Sequence, residues 1–217
     1  HFRGLPSVAR RLPLHLTTFA LPSPPPYNHP MLELPIYTIG YGAREIEAFI
    51  NVLKEHNITY LIDVRSKPYS RYKPDFSKEP LSAHLERAGI RYVFMGDTLG
   101  GQPDDQSCYV DGKVVYERVA ATSFYREGIA RLEDAFRQQL PVALMCSEGK
   151  PQQCHRSKLI GKTLVEAGIP ILHIDENDRL ITHDDVMRRI DGGQPSLFGD
   201  DFQTLTSRKR YKVQDDD

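Results

Sequence analysis

Apolar runs and helix-period runs alternate along this chain. Pro35-Ile-Tyr-Thr-Ile39 reads as a buried strand. Ile46, Phe49, Ile50 and Leu53 then recur at helix spacing, with Asn57 placed to end the helix. Tyr60-Leu-Ile-Asp-Val64 reads as a second strand, and Ser66 to Lys78 as a loop rich in Pro, Tyr and Lys. Leu81 to Ala88 is a short helix stopped by Gly89, and Ile90 to Phe94 is a third strand. A polar loop from Leu99 to Gly112 precedes a helix from Ser123 to Gln138, with Phe124, Ile129, Leu132 and Phe136 on its inner face. Pro141-Val-Ala-Leu-Met145 is the fourth strand. Leu159, Ile160, Leu164 and Val165 mark the next helix, ended by Ala167-Gly168, and Ile169 to Ile174 is the fifth strand. A short helix over Val186 to Ile190 precedes Gly192-Gly193.

Strands that alternate with helices predict an α/β fold: a mainly parallel central sheet of about five strands with helices on both faces. The domain expected from this pattern spans residues 31–190. Residues 1–30 are Pro-rich, carry Arg3, Arg10 and Arg11, and hold no acidic residue. They read as a disordered leader or non-native extension upstream of Met31, with an Arg-rich transit peptide as the alternative. Residues 191–217 read as a flexible C-terminal tail.

Charge adds little at the level of the whole chain, with 28 basic against 29 acidic residues. Any nucleic-acid contact must therefore come from local clusters. Three cysteines do not make a secreted disulfide framework, so a reducing, cytoplasmic setting is expected. No apolar run approaches the roughly 18 residues needed to cross a bilayer, so no membrane partner is expected.

The chemistry gathers where the fourth strand ends. Cys146-Ser-Glu-Gly-Lys-Pro-Gln-Gln-Cys154-His155-Arg156 packs two thiols, a carboxylate, an imidazole and a guanidinium between a strand and a helix. Ligands bind in that crevice of open α/β sheets, and a helix start favours anions or thiolates. Gly40-Tyr41-Gly42 and Asp63 with Arg65 also stand at strand ends and are expected to converge there. Candidate catalytic residues are Asp63, Cys146, Glu148 and His155. Candidate substrate-binding residues are Gly40, Tyr41, Arg65, Ser70 and Arg156. Arg65, Lys67, Arg71 and Lys73 interleave with Tyr69 and Tyr72, which suits phosphate contact and base stacking.

Each residue also has a plainer reading. Asp63 and Arg65 can form a structural ion pair, Cys146 can be a small core residue, and the basic loop can be merely solvated. Cys146, Cys154 and His155 offer three ligands, but their spacing matches no standard zinc pattern and a closed site needs a fourth. No metal is expected on that basis, and no cofactor is identified. A strand–Cys–loop–helix layout is similar to rhodanese and phosphatase cradles, yet this loop is longer and Glu148 would repel an anion.

Thr38-Ile-Gly-Tyr-Gly42, Asp63-Val64-Arg65 with Pro68 and Ser70, Phe76, Leu99-Gly100-Gly101, Met145-Cys146-Ser147-Glu148 and Cys154-His155-Arg156 occur in order. On these motifs the chain resembles domain-of-unknown-function family 488, over about Ile36 to Asp175. The resemblance implies a compact α/β domain with a pocket and no transferable activity. The family's usual Gly-His-Ser-like turn is Gly40-Tyr41-Gly42 here, which removes a His and a Ser. Separately, Gln194-Pro-Ser-Leu-Phe198 resembles the peptide by which bacterial DNA-processing proteins hold the sliding clamp, with Gln194, Leu197 and Phe198 as anchors. The expectation is an enzyme, or enzyme-like module, acting on nucleic acid or nucleotides, in DNA repair with tethering to the sliding clamp. The alternatives are a non-catalytic binding module for nucleic acid or clamp, and a rhodanese-like thiol enzyme.

Overall fold

A computed structural model describes His1 and residues 33–190, 205–208, 210 and 211. Apart from His1, all of these belong to one compact unit, Glu33–Asp217. Residues 2–30 of the expected leader and the anchors Gln194, Leu197 and Phe198 lie outside the described residues.

The elements follow the sequence pattern closely. They begin with β1 (Ile36–Gly40), α1 (Ile46–Glu55), β2 (Tyr60–Asp63), α2 (Lys78–Arg87), β3 (Arg91–Phe94) and the short α3 (Gly96–Leu99). A hairpin of β4 (Tyr109–Val110) and β5 (Lys113–Val114) precedes α4 (Tyr116–Ala120) and α5 (Ser123–Arg137). β6 (Val142–Cys146) runs through the reactive loop into a wide helical turn, Arg156–Gly161, and α6 (Lys162–Glu166). β7 (Ile171–Ile174), β8 (Leu180–Thr182) and α7 (His183–Ile190) follow.

The main sheet has six strands in the order β3-β2-β6-β1-β7-β8. The first five are parallel, as the alternating pattern requires, and β8 pairs antiparallel with β7. β8 is the strand beyond the expected five. It has three residues on a sheet edge and none is buried, so it carries no apolar signal. The β4–β5 hairpin was equally silent in the sequence, where it reads as loop. Its turn has Asp111 at φ 49° and Gly112 at φ 69°, the pairing that a tight two-residue hairpin turn demands.

Both faces of the sheet are covered, so the inner parallel strands β2, β6, β1 and β7 are mostly buried, while edge strand β3 has no buried residue. Phe49, Leu53, Leu81 and Leu85 of α1 and α2 pack with Ile39, Leu61, Ala143 and Met145 on one face. On the other, Tyr125, Ile129, Leu159, Ile160 and Leu164 pack with Ile36, Ile62, Leu144 and Ile171. β6 lies inside the order and all five of its residues are buried. The helix ends also follow local chemistry. Asn57 leaves α1 at φ 54°, while its N–H and that of Ile58 close onto Lys54 and Leu53 carbonyls. Thr122 caps α5 by accepting from the Tyr125 N–H.

The described part of the C-terminal segment lies against the domain, not free of it. Tyr116 N donates to Leu205 O at 3.0 Å, Ser207 N to Val114 O at 3.0 Å, and Val114 N to Ser207 Oγ at 3.1 Å. Residues 205–207 thus extend the hairpin as an added extended segment, satisfying backbone groups that a free tail would leave to water.

Candidate functional site

The carboxyl ends of β1, β2 and β6 stand side by side because those three strands are neighbours in the order β2-β6-β1. The register pairs Gly40 with Cys146 and Asp63 with Met145. The loop after β6 is then fastened to the turn after β1: Tyr41 N donates to Cys146 O and Gly42 N to Ser147 O, both at 3.1 Å. The fit is close. A Cβ on Gly40 would stand 1.8 Å from the Glu148 carbonyl oxygen. Gly40 therefore serves loop closure, and it does not line the pocket described below.

Arg156 holds the loop from behind. It is fully buried, and its guanidinium donates to Thr38 Oγ1 at 3.3 Å, to Gly149 O at 3.0 Å and to Glu148 O. Those partners are neutral and use its donors on the loop, so the structure makes it a supporting residue and leaves it out of the pocket lining. Asp63 is similarly committed. Its carboxylate accepts from Arg65 Nε at 2.8 Å, Arg65 Nη2 at 2.5 Å, the Arg65 backbone N–H at 3.1 Å and Tyr92 OH at 2.8 Å. It is wholly buried and absent from the lining. Four donors fill its acceptor sites, which leaves no free lone pair aimed at a substrate. Ser70 lies in the next loop, accepting from Lys73 N at 3.2 Å, away from the pocket.

What converges instead is Cys146, Cys154 and His155. All three are buried, and their ligating atoms lie within 4.8 Å of one another. His155 Nδ1 is 3.8 Å from Cys146 Sγ and 3.6 Å from Cys154 Sγ. Its Nε2 donates to Val64 O at 3.0 Å, because a carbonyl can only accept. That bond places a proton on Nε2 and turns Nδ1 toward the thiols. Gly101 locks the ring from the side: a Cβ there would meet His155 Cγ and Nδ1 at 2.8 Å. The Leu99-Gly100-Gly101 motif thus acts on the site through close packing.

The two thiols differ. A hydrogen bond from Cys154 holds the Cys146 thiol well below its ordinary value, against burial and with help from His155 and the Arg156 charge. Burial pushes the Cys154 thiol up, as does its bond to Cys146. All three cysteines are unpaired.

A cleft of about 230 Å³ opens above this cluster. Tyr41, Arg65, Cys146, Glu148 and His155 line it, so five of the nine sequence candidates for catalysis and substrate binding meet in one place. Arg65 is 5% exposed, stands 5.5 Å over the Tyr41 ring, and its Nη1 has no hydrogen-bond partner among the described residues. Lys67 and Tyr69 of the basic–aromatic loop also reach the cleft. Glu148 is on the rim, its carboxylate bound to Arg208 Nη2 at 2.5 Å. Arg208 also donates to Gln153 at 2.8 Å. Ser207, Arg208 and Tyr211 complete one wall. Cys154 and this C-terminal wall were missed as site residues. The Cys-His-Arg run carried a signal for Cys154. For Ser207, Arg208 and Tyr211 the sequence had only a basic cluster.

The fold and cleft define an α/β pocket protein of the open-sheet kind, with its polar site at the strands' carboxyl ends. The profile of the family "Domain of unknown function DUF488" matches residues 45–162, more than half of the chain, and the chain belongs to that family. The match includes Asp63, Arg65, Gly101 and the whole loop from Cys146 to Arg156. No curated protein and no solved structure gives a match. Among the described residues no helix is long and apolar enough to cross a membrane.

Proposed function

We propose that this chain is an enzyme acting on a phosphate-bearing substrate, a nucleotide or a nucleic-acid segment, bound in the strand-end cleft. The observation that carries the reading is that buried Arg65, whose Nη1 has no hydrogen-bond partner among the described residues, lines the same cleft as the Cys146–Cys154–His155 cluster. A guanidinium oriented by a carboxylate loses little entropy when it takes an anion. Lys67 and Arg208 add positive charge at the rim. Tyr69 is 73% exposed and Tyr72 91%, which suits stacking on bases. In this reading Arg65 holds phosphate and the cluster is the reactive end. Asp63 and Arg156 support Arg65 and the loop, and Glu148 is a rim carboxylate.

The test is equilibrium binding of mononucleotides, a short single-stranded oligonucleotide and inorganic phosphate. Lys67→Ala and Arg208→Ala should each weaken binding about tenfold, the loss of one charge-assisted contact of about 1.5 kcal/mol. Absence of binding across the whole panel overturns the reading.

A second reading is a thiol enzyme with Cys146 as nucleophile. Its support is geometric: Cys146 lines the cleft with a second thiol and an imidazole beside it. Rapid alkylation of Cys146 near neutral pH is the expected result, and inert Cys146 counts against it. A further part of the proposal is a cytoplasmic protein of DNA repair tethered to the sliding clamp. Its support is the Gln194-Pro-Ser-Leu-Phe198 peptide, together with unpaired cysteines that suit a reducing compartment. Leu197→Ala with Phe198→Ala should abolish binding to the clamp; unchanged affinity refutes the tether.

A further inference from the structure

The geometry points to a soft divalent cation site, of zinc type, formed by Cys146, Cys154 and His155 with a fourth position open to the cleft. It deepens the proposed function and rests on its reading of this cluster as the reactive end of the pocket.

Bond lengths supply the first argument. Zn–S is about 2.3 Å and Zn–N about 2.0–2.1 Å, so a tetrahedral centre sets sulfur and nitrogen about 3.6 Å apart. The separations here are 3.6 Å and 3.8 Å. One nitrogen lone pair accepts one good hydrogen bond, yet two sulfurs stand around it at nearly equal distance. A shared cation between the three atoms accounts for that arrangement directly.

The surroundings agree. A ligating histidine characteristically donates its other ring nitrogen to a carbonyl or carboxylate, which fixes tautomer and ring angle. His155 does so from Nε2 to Val64 O at 3.0 Å, and Gly101 allows the ring its place. Charge also balances. Two thiolates would neutralise a divalent cation, and Arg156 stands behind the loop with neutral hydrogen-bond partners. The spacing Cys-x7-Cys-His lies outside the usual zinc patterns because Cys146 ends a strand and Cys154-His155 returns from the far side of the loop.

Three protein ligands with an open fourth position are the arrangement of catalytic zinc, whereas structural sites are closed by four. The open position faces the cleft that Arg65 also lines. A water molecule or a substrate phosphate oxygen would fill it.

The test uses the full chain, kept under a phosphine reductant, stripped with a chelator and titrated with Co(II) and then Zn(II). One equivalent of Co(II) per chain should give thiolate-to-cobalt charge-transfer absorption with tetrahedral ligand-field bands, and Zn(II) should displace it. Cys154→Ser and His155→Ala should each weaken Co(II) binding more than about 100-fold, beyond the loss expected from a mere outer-shell change. Cys108→Ala, outside the cleft, should leave it unchanged. Circular dichroism checks that the variants fold; if either fails, stoichiometry and the charge-transfer band of the unaltered chain decide. No charge-transfer band, or Co(II) affinity in Cys154→Ser and His155→Ala equal to that of the unaltered chain, overturns the site. Oligonucleotide binding by the stripped protein is measured alongside. Retained binding with no cobalt band defeats the metal site alone, and a cobalt band without anion binding defeats the phosphate reading alone.

Discussion

His155 donates from Nε2 to the carbonyl oxygen of Val64 at 3.0 Å, and this one bond orients the imidazole within the Cys146–Cys154–His155 cluster. It joins the loop after β6 to the end of β2, two segments 91 residues apart in sequence. The opposite nitrogen is thereby aimed at both thiols. Gly101→Ala tests the arrangement, because the new Cβ would press on the ring at 2.8 Å. The expected cost is about 1–3 kcal/mol of overpacking, with metal and anion binding weakened together. Denaturant unfolding and cobalt titration on the same sample measure both.

Asp63→Asn separates a supporting role from a catalytic one. The carboxylate is the charged partner of buried Arg65, and removing its charge strands a guanidinium. Loss of a buried partner costs about 3–5 kcal/mol. A urea midpoint that falls accordingly identifies Asp63 as the orienter of Arg65. An unchanged midpoint with lost activity would return it to catalysis.

Arg156→Met should destabilise the chain by more than about 2 kcal/mol, since it removes the donors to two loop carbonyls, at Glu148 and Gly149. Hydrogen exchange should show the largest loss of protection at Tyr41 and Gly42, whose amides bond to the same loop.

Arg208→Ala should leave global stability within about 1 kcal/mol, because the Arg208–Glu148 pair is partly exposed and screened by solvent. Its effect is local. Faster amide exchange at Ser207, which bonds to Val114 O, is expected as the wall of the cleft loosens.

Stability should fall in mild acid. His173 and His183 form a buried pair, with Nε2 and Nδ1 3.1 Å apart, and His173 Nδ1 lies 2.7 Å from Thr38 Oγ1. Desolvation first, and neighbouring positive charge second, hold His173 well below the ordinary histidine value; burial also lowers His183. Lowered folded-state values mean that the unfolded chain takes up protons first. Stability is therefore full above about pH 6.5 and declines as pH drops below it. Urea midpoints from pH 8 to pH 5 check the sign. His183→Gln, which removes one titrating group, should flatten the slope.

Some of this protein is written locally. The apolar runs at Ile36, Tyr60 and Val142 and the helical spacing of Phe49 and Leu53 depend on near neighbours, and each produced its element. Strand–helix alternation then requires parallel neighbours and right-handed crossovers, so the crevice holding Cys146 and Arg65 follows from the order of residues. β8 and the hairpin escaped notice because two or three exposed residues carry no periodic signal.

The tertiary structure decided which side chains are free. Asp63 and Arg156 look as reactive in sequence as His155, yet both have their hydrogen-bonding capacity consumed by partners far along the chain or across the loop. Cys154 gains its role only when the loop folds back beside Cys146. Leu205 to Arg208 reads as a polar tail until Val114 and Tyr116 offer it backbone partners. Local pattern therefore determined the sheet, its helices and the position of the crevice. Burial and hydrogen-bond satisfaction are set by non-local contacts, and they alone determined which groups in that crevice remain available for chemistry.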